Sequence, residues 1–269
     1  MKHNDQAVIA CIEDPSSAPA VIAYAQHFAH HLREKRIILL NVSPHSKADW
    51  LAQYNLPFVA MQGSWRTAVE GFHSAFNAIL AVTDVNPSAP RSSITHPRTL
   101  LRTFRPSKIA YLCVNTQLQP PSPQLQTLLT LDHHRESKQK LIWASYLARF
   151  LHADLTFALP QYRDPDLSRR QQNNLQFANK IFSSLQPPIT FATRPTPYST
   201  LSNPDLTTLS QFQHSNTPLQ TLIALATDLR AFDPLDFLLG PPEQRLLSHP
   251  SRTPILFLNQ RDDLYVLCD

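Results

Sequence analysis

Histidines are the residues of this chain whose spacing first suggests chemistry. His133 and His134 follow Asp132 and precede Arg135 and Glu136. An imidazole beside a carboxylate is the usual arrangement of a general base, so the pair is the best acid–base candidate. No GxSxG, HExxH or CxxC accompanies it, so no nucleophile is placed and no catalytic residue is assigned. His27 and His31 form an i, i+4 pair with His30 beside them, a spacing that can share a metal ion. No third and fourth ligand is spaced to complete a site, and the three read as exposed histidines on a helix; no metal is expected.

A third cluster is basic. Arg98, Arg102 and Arg105 fall on one face of a short helix, opposite Leu100, Leu101 and Phe104. Arg91, Ser92, Ser93 and Thr95 lie in the loop before it. A helix N-terminus with hydroxyls and an arginine can hold a phosphate or sulfate. The bland reading is a solvated basic face.

Composition limits the function classes. The chain has 269 residues, 42% hydrophobic and 16% charged, with 24 prolines and only 3 glycines. Average usage would give roughly nineteen glycines. That scarcity excludes a GxGxxG or GxxxxGK[ST] phosphate loop, which needs backbone without Cβ where the phosphate approaches. The net charge of +4 is spread along the chain, without the dense Lys/Arg stripe of a nucleic-acid binder. Cys11, Cys113 and Cys268 are odd in number and sit in or beside apolar runs, so they read as reduced, mostly buried thiols. No signal-peptide pattern and no membrane-spanning run is found, and a cytoplasmic location is the expectation.

Short apolar runs alternate with amphipathic helical patterns, which indicates βαβ units and a parallel sheet buried on both faces. Strands are expected at 8–12, 36–42, 58–62, 78–82 and 109–114, with helices at 18–34, 64–76 and 98–104. After a Gln/Pro/Ser linker at 116–124 the rhythm restarts: strands at 128–131, 155–159, 189–192, 236–239 and 255–258, helices at 137–151, 168–185, 219–232 and 243–248. Residues 264–268 suggest a short last strand, and 193–218 a long polar loop. A shift of 119 residues maps Glu13 onto Asp132 and Tyr24 onto Trp143. It also maps Ile22, Ala25, Phe28 and Leu32 onto Leu141, Ala144, Leu147 and Leu151, one helix face in each half. Tyr24, Trp143, Tyr146 and Phe150 read as packing residues. The expected domains are residues 1–117 and 118–269.

The layout resembles the universal stress protein family in a tandem two-domain form. The match is carried by ACIEDPSSAPAVIAYAQHFA and LLTLDHHRESKQKLIWASYLAR, by the following strands IILLNV and DLTFAL, and by the closes TLLRTFRPSKIAYLCV and EQRLLSHPSRTPILFL. The resemblance implies two doubly wound, flavodoxin-like α/β domains, each with a five-stranded parallel sheet, pairing through the last strands at 109–114 and 255–258. It also implies a Gly-x2-Gly-x9-Gly-[Ser/Thr] loop for ATP. Here Ala81, Asp84 and Ile94 stand at the glycine positions and Thr95 at the hydroxyl position, while in the second half Gly240 is followed at once by Pro241 and Pro242. The first-strand acid, which the family places near the adenosine, persists as Glu13 and Asp132.

The expectation is therefore a non-enzymatic stress-response protein that has lost family-style ATP binding, needs no cofactor, and acts by association with itself or another protein. The alternative is a nucleotide or anion sensor with one altered site built from Glu13, Val42, Thr95 and Arg98. A third reading is a hydrolase or transferase using His133 or His134.

Overall fold

The structure is a computed structural model that describes residues 6–32, 35–42, 49–107, 109–116, 121, 125–134, 137–197, 221–227, 241–248 and 253–259. Contacts divide the chain into two compact units, Met1–Pro121 with Asp228–Asp269, and Ser122–Thr227.

In the first unit the strands are β1 (Ala7–Cys11), β2 (Arg36–Val42), β3 (Phe58–Met61), β4 (Ala78–Asp84) and β5 (Ala110–Val114). They pair in the order β3-β2-β1-β4-β5, all parallel. β1 and β5 are buried at every position, because a parallel sheet covered on both faces reads as continuous Val, Ile, Leu and Ala. The helices are α1 (Ala18–His31), α2 (Trp65–Phe76) and α3 (Pro97–Phe104). The chain winds one way from β1 to β3 and the other way from β4 to β5. Right-handed crossovers then put α1 on one face and α2 and α3 on the other. Accordingly α1 packs on β1 and β4, while α2 packs on α3. This is the doubly wound fold expected from the alternating pattern.

With so few glycines, other residues take the left-handed backbone positions. Asn77, at φ 48°, ends α2 and turns directly into β4. Asn tolerates this region because its short amide bonds locally. The start of α2 is capped by Ser64, which accepts from the Thr67 amide at 3.2 Å.

In the second unit β6 (Leu125–Thr130), β7 (Asp154–Gln161), β8 (Phe191–Pro197) and β9 (Thr221–Thr227) pair in parallel in the order β9-β6-β7-β8. That is the order of the first four strands again. α4 (Ser137–Leu151) packs on β6, β7 and β9, and α5 (Pro165–Ser184) packs on α4. Two expectations are corrected here. Residues 221–227 are a strand, not part of a helix over 219–232: the Leu/Ala content favours helix, and pairing with β6 overrides it. Residues 193–197 belong to β8, not to a loop. The remainder of 193–218, the strand at 236–239, Gly240, Arg135, Glu136, the strand at 264–268 and Cys268 lie outside the described residues.

The chain then returns to the first unit. α6 (Pro242–Ser248) packs on α3, and β10 (Ile255–Leu258) pairs antiparallel with β5, Leu256 opposite Leu112. The pairing expected of the two last strands is therefore present. Among the described residues the first unit thus has five parallel strands and an antiparallel sixth, and the second unit four parallel strands. Rings of Phe104, Tyr111 and Phe257 stack at 4.8 and 5.1 Å across this seam. Asn259 donates through Nδ2 to the carbonyls of Phe104 and Ser107 at 2.8 Å and of Ile109 at 2.9 Å. Arg105 meets the buried Glu243 at 2.7 Å.

Candidate functional site

In an open parallel sheet, ligands bind at the carboxyl ends of the strands where the winding direction reverses. In the first unit that point lies between β1 and β4. Glu13 follows β1, Asp84 ends β4, and the loop 85–96 runs from there to α3. Two of the four expected site residues, Glu13 and Thr95, meet here through Ser93, while Arg98 lies exposed in the first turn of α3.

The loop is folded inward. Ser93 donates its hydroxyl to Glu13 Oε2. Its oxygen lies 2.8 Å from Thr95 Oγ1 and accepts from the Thr95 amide at 3.1 Å. Ile94 between them is fully buried. The loop base is tied by Asn86 N to Thr95 O at 2.8 Å, and Thr99 Oγ1 donates to Arg91 O. A branched side chain thus occupies the core where the resemblance implies a glycine, and the carboxylate of the first-strand acid is already satisfied by a hydroxyl of the same chain.

The start of α3 is occupied too. His96 Nδ1 accepts from the Arg98 amide at 3.2 Å, one of the donors an anion at the helix start would use. Arg98, Arg91 and Arg102 are exposed. Burial, then the positive charge of Arg91 and Arg98, holds the His96 pKa below its ordinary value. Arg105 leaves the expected solvated basic face: it is largely covered and spent on Glu243, because α6 packs across the end of α3. Val42 is a buried core residue at the end of β2, paired with Met61, and offers no polar group.

Two residues at this point were not singled out. Asn41, in the apolar run of β2, donates through Nδ2 to the Ile12 carbonyl at 2.7 Å and reaches the Glu13 carbonyl at 3.4 Å. The signal was a lone amide inside IILLNV. Asp84, read only as a lost glycine, is a carboxylate buried at the end of β4. Burial above all pushes its pKa up to about 6, against hydrogen bonds from the Thr116 and Val85 amides, with the charge of Asp14 adding to the rise.

At the equivalent point of the second unit Asp132 is buried. Its Oδ1 accepts from Ser137 Oγ at 2.5 Å and from the His134 amide at 2.9 Å. From α5, Gln171 Nε2 donates to Leu131 O at 2.9 Å and Pro160 O at 3.0 Å, and Asn174 Nδ2 to the Asp132 and His134 carbonyls, each at 2.9 Å. The acid is thus a structural knot that starts α4. The His133 ring lies 4.0 Å from that of His134 and edge-on to Tyr162 at 5.1 Å. Burial, then the neighbouring His134, lowers the His133 pKa. Among the described residues neither imidazole hydrogen-bonds a carboxylate, so the acid–base arrangement suggested by Asp132-His133-His134 is not assembled.

On α1 His30 is exposed as expected, whereas His27 and His31 are half-buried. His31 Nδ1 bonds the His27 carbonyl at 2.8 Å, the rings of His27 and His31 are 4.5 Å apart, and among the described residues the buried His27 Nε2 has no partner. Among the described residues no group of three His, Cys, Asp or Glu is placed to hold a metal ion. Cys11 and Cys113 are free and buried, and burial raises the Cys11 thiol to about 12. Tyr24 is buried as packing, whereas Tyr146 is 45% exposed, which corrects its reading as a packing residue.

No family model matches the chain, and no curated protein matches it. Solved structures do. A universal stress protein from Archaeoglobus fulgidus DSM 4304 superposes with TM-score 0.68 at 10% identity, over 96% of this chain and 100% of that one. A functionally unknown protein from Pseudomonas aeruginosa PAO1 gives 0.61 at 12%, over 97% and 95%. The cytoplasmic domain of a prokaryotic cation chloride cotransporter gives 0.59 at 13%, over 98% and 99%. What is shared at these identities is the fold: the chain has the universal stress protein fold along nearly its whole length.

Proposed function

We propose that this universal-stress-type chain is a non-enzymatic stress-response protein of the cytoplasm that has given up family-style ATP binding and works by association with a protein partner or a second copy of itself. The observation that carries the reading is the bond from Ser93 to Glu13, with Ile94 buried beside it. A triphosphate would have to displace a hydroxyl from a carboxylate and a branched side chain from the core, and it would meet the Asp84 carboxylate as well. Each change costs free energy, and no glycine-lined backbone amides compensate. Among the described residues no helix is long and apolar enough to cross a membrane.

A second reading, an anion or nucleotide sensor, is favoured by one observation: Arg91 and Arg98 stand exposed at the start of α3, beside His96, whose imidazolium is disfavoured by burial and then by their charge. The test is to denature freshly purified protein, analyse the supernatant for released nucleotide by anion exchange, and follow thermal melts with ATP, AMP and phosphate. No nucleotide and no shift is the expected result. A stoichiometric nucleotide, or a shift abolished by Arg98→Ala, overturns the first reading and establishes the second.

A further inference from the structure

β3 is the outer strand of the first unit: it pairs with β2 and with no other described strand. Phe58, Val59, Ala60 and Met61 are all apolar, yet none is buried and Phe58 is 39% exposed. An edge strand carries a row of unused N–H and C=O groups, and proteins blunt such edges with charge, proline or a covering element. The outer strand of the second unit is blunted in that way. β8 contains Arg194 together with Pro195 and Pro197, which have no N–H to offer. β3 contains neither device, and no charged residue or histidine occurs from Trp50 to Trp65.

The register fixes which backbone groups face away from β2. Leu39 N donates to the Pro57 carbonyl at 2.9 Å, while Leu39 lies opposite Phe58 and Asn41 opposite Ala60. In a parallel ladder a residue bonds the two neighbours of its register partner. Leu39 and Asn41 therefore engage Pro57, Val59 and Met61, and the N–H and C=O groups of Phe58 and Ala60 turn outward.

We propose that β3 is a docking edge for a second copy of this chain, the two β3 strands pairing antiparallel about a twofold axis at Val59. In that register Phe58 exchanges both backbone hydrogen bonds with the second copy's Ala60, and Ala60 does the same with the second copy's Phe58. Every outward group is then used. Val59 meets its own counterpart at a non-hydrogen-bonded position, where side chains come closest. Sizes match as well: the large Phe58 lies over the small Ala60, and Met61 over Pro57. Like charges placed opposite each other destabilise such a pair, and the neutral stretch from Trp50 to Trp65 brings none. An unrelated partner would need a matching edge of its own, whereas a copy supplies it by symmetry. The self-pairing rests on the association reading above and gives it a surface.

Sedimentation velocity of the full chain over a concentration series, alongside Ala60→Pro and Phe58→Lys, tests the edge. The expected result is a reversible monomer–dimer equilibrium that either variant weakens by about tenfold or more: one removes an outward N–H without touching the β2 ladder, and the other adds a charge to the edge. Val59→Cys reads the register. Across the twofold the two Cα atoms come within about 4.5 Å, inside the range of a disulfide. Mild oxidation is therefore expected to give a covalent dimer with Val59→Cys, and none with the unsubstituted chain or with Ala60→Cys, which faces Phe58. A chain that stays monomeric throughout, a dimer that neither edge variant weakens, or a failure of Val59→Cys to cross-link overturns the proposal. Dimerisation is read on the unsubstituted chain and the cross-link on a conservative variant, so the test stands even where Ala60→Pro fails to fold. A monomer that also releases no nucleotide leaves association with a different protein standing, so the two failures are told apart.

Discussion

Ser93 and Glu13, 80 residues apart, are joined hydroxyl to carboxylate at the switch point of the first unit. The bond closes the crevice with the chain's own loop. Ser93→Ala removes the donor and leaves a half-buried carboxylate short of a partner, a loss of about 1–2 kcal/mol. Urea unfolding is expected to show a lower midpoint with an unchanged slope. An unchanged midpoint would mean that Ile94, not the hydroxyl, holds the loop.

Much of this was legible. The alternation of apolar runs and amphipathic helices placed β1, β2, β4, β5 and α1 to within a few residues, because a doubly covered parallel sheet leaves an unbroken apolar signature. The repeat pointed to the matching strand orders of the two units. The segment 221–227 was not legible, since an apolar Leu/Ala run fits helix and buried strand equally and only pairing with β6 decides. Within the site, the loss of glycines at Ala81, Asp84 and Ile94 was visible. The inward turn of Ser93, the prop from Asn41 and the ion pair of Arg105 were not, because each depends on a partner far away in the sequence.

Asn259 is expected to be the strongest single attachment of the last segment. One amide bonds the carbonyls of Phe104, Ser107 and Ile109, which end α3 and lead into β5. Asn259→Ala leaves these buried acceptors short of a donor and costs about 2 kcal/mol. Asn259→Asp costs more, since a carboxylate cannot donate and is repelled by the carbonyls. Differential scanning calorimetry of the two variants checks the order.

Glu243 is almost fully buried and its partner Arg105 is 18% exposed. Breaking such a pair strands a charge, so Glu243→Gln is expected to lose about 3 kcal/mol, the low end for a buried pair because water reaches the guanidinium. The double replacement Arg105→Met with Glu243→Leu is expected to recover most of that loss. A single variant as stable as the parent would show that the pair contributes only geometry.

The half-buried His27 and the buried Asp84 pull acid stability in opposite directions. Burial first, then His31 and His30, lowers the His27 pKa to about 4 from 6.5. Its contribution is full above 6.5 and is lost as the pH falls toward 4, because the unfolded chain binds the proton more readily. With the ring partly exposed, this amounts to about 1–2 kcal/mol. Asp84 is raised from 3.8 to about 6, so the folded state binds the proton more readily and stability grows as the pH falls through the same window, by about 2–3 kcal/mol. The parent melt is therefore expected to change little between pH 7 and 5. His27→Gln removes one of the groups that oppose Asp84, so on acidification its melting temperature shifts upward relative to the parent. Asp84→Asn leaves the His27 effect, to which the lowered His96 and His133 add with the same sign, so its melting temperature falls. Parallel curves for the two variants would mean that neither group carries the pH dependence.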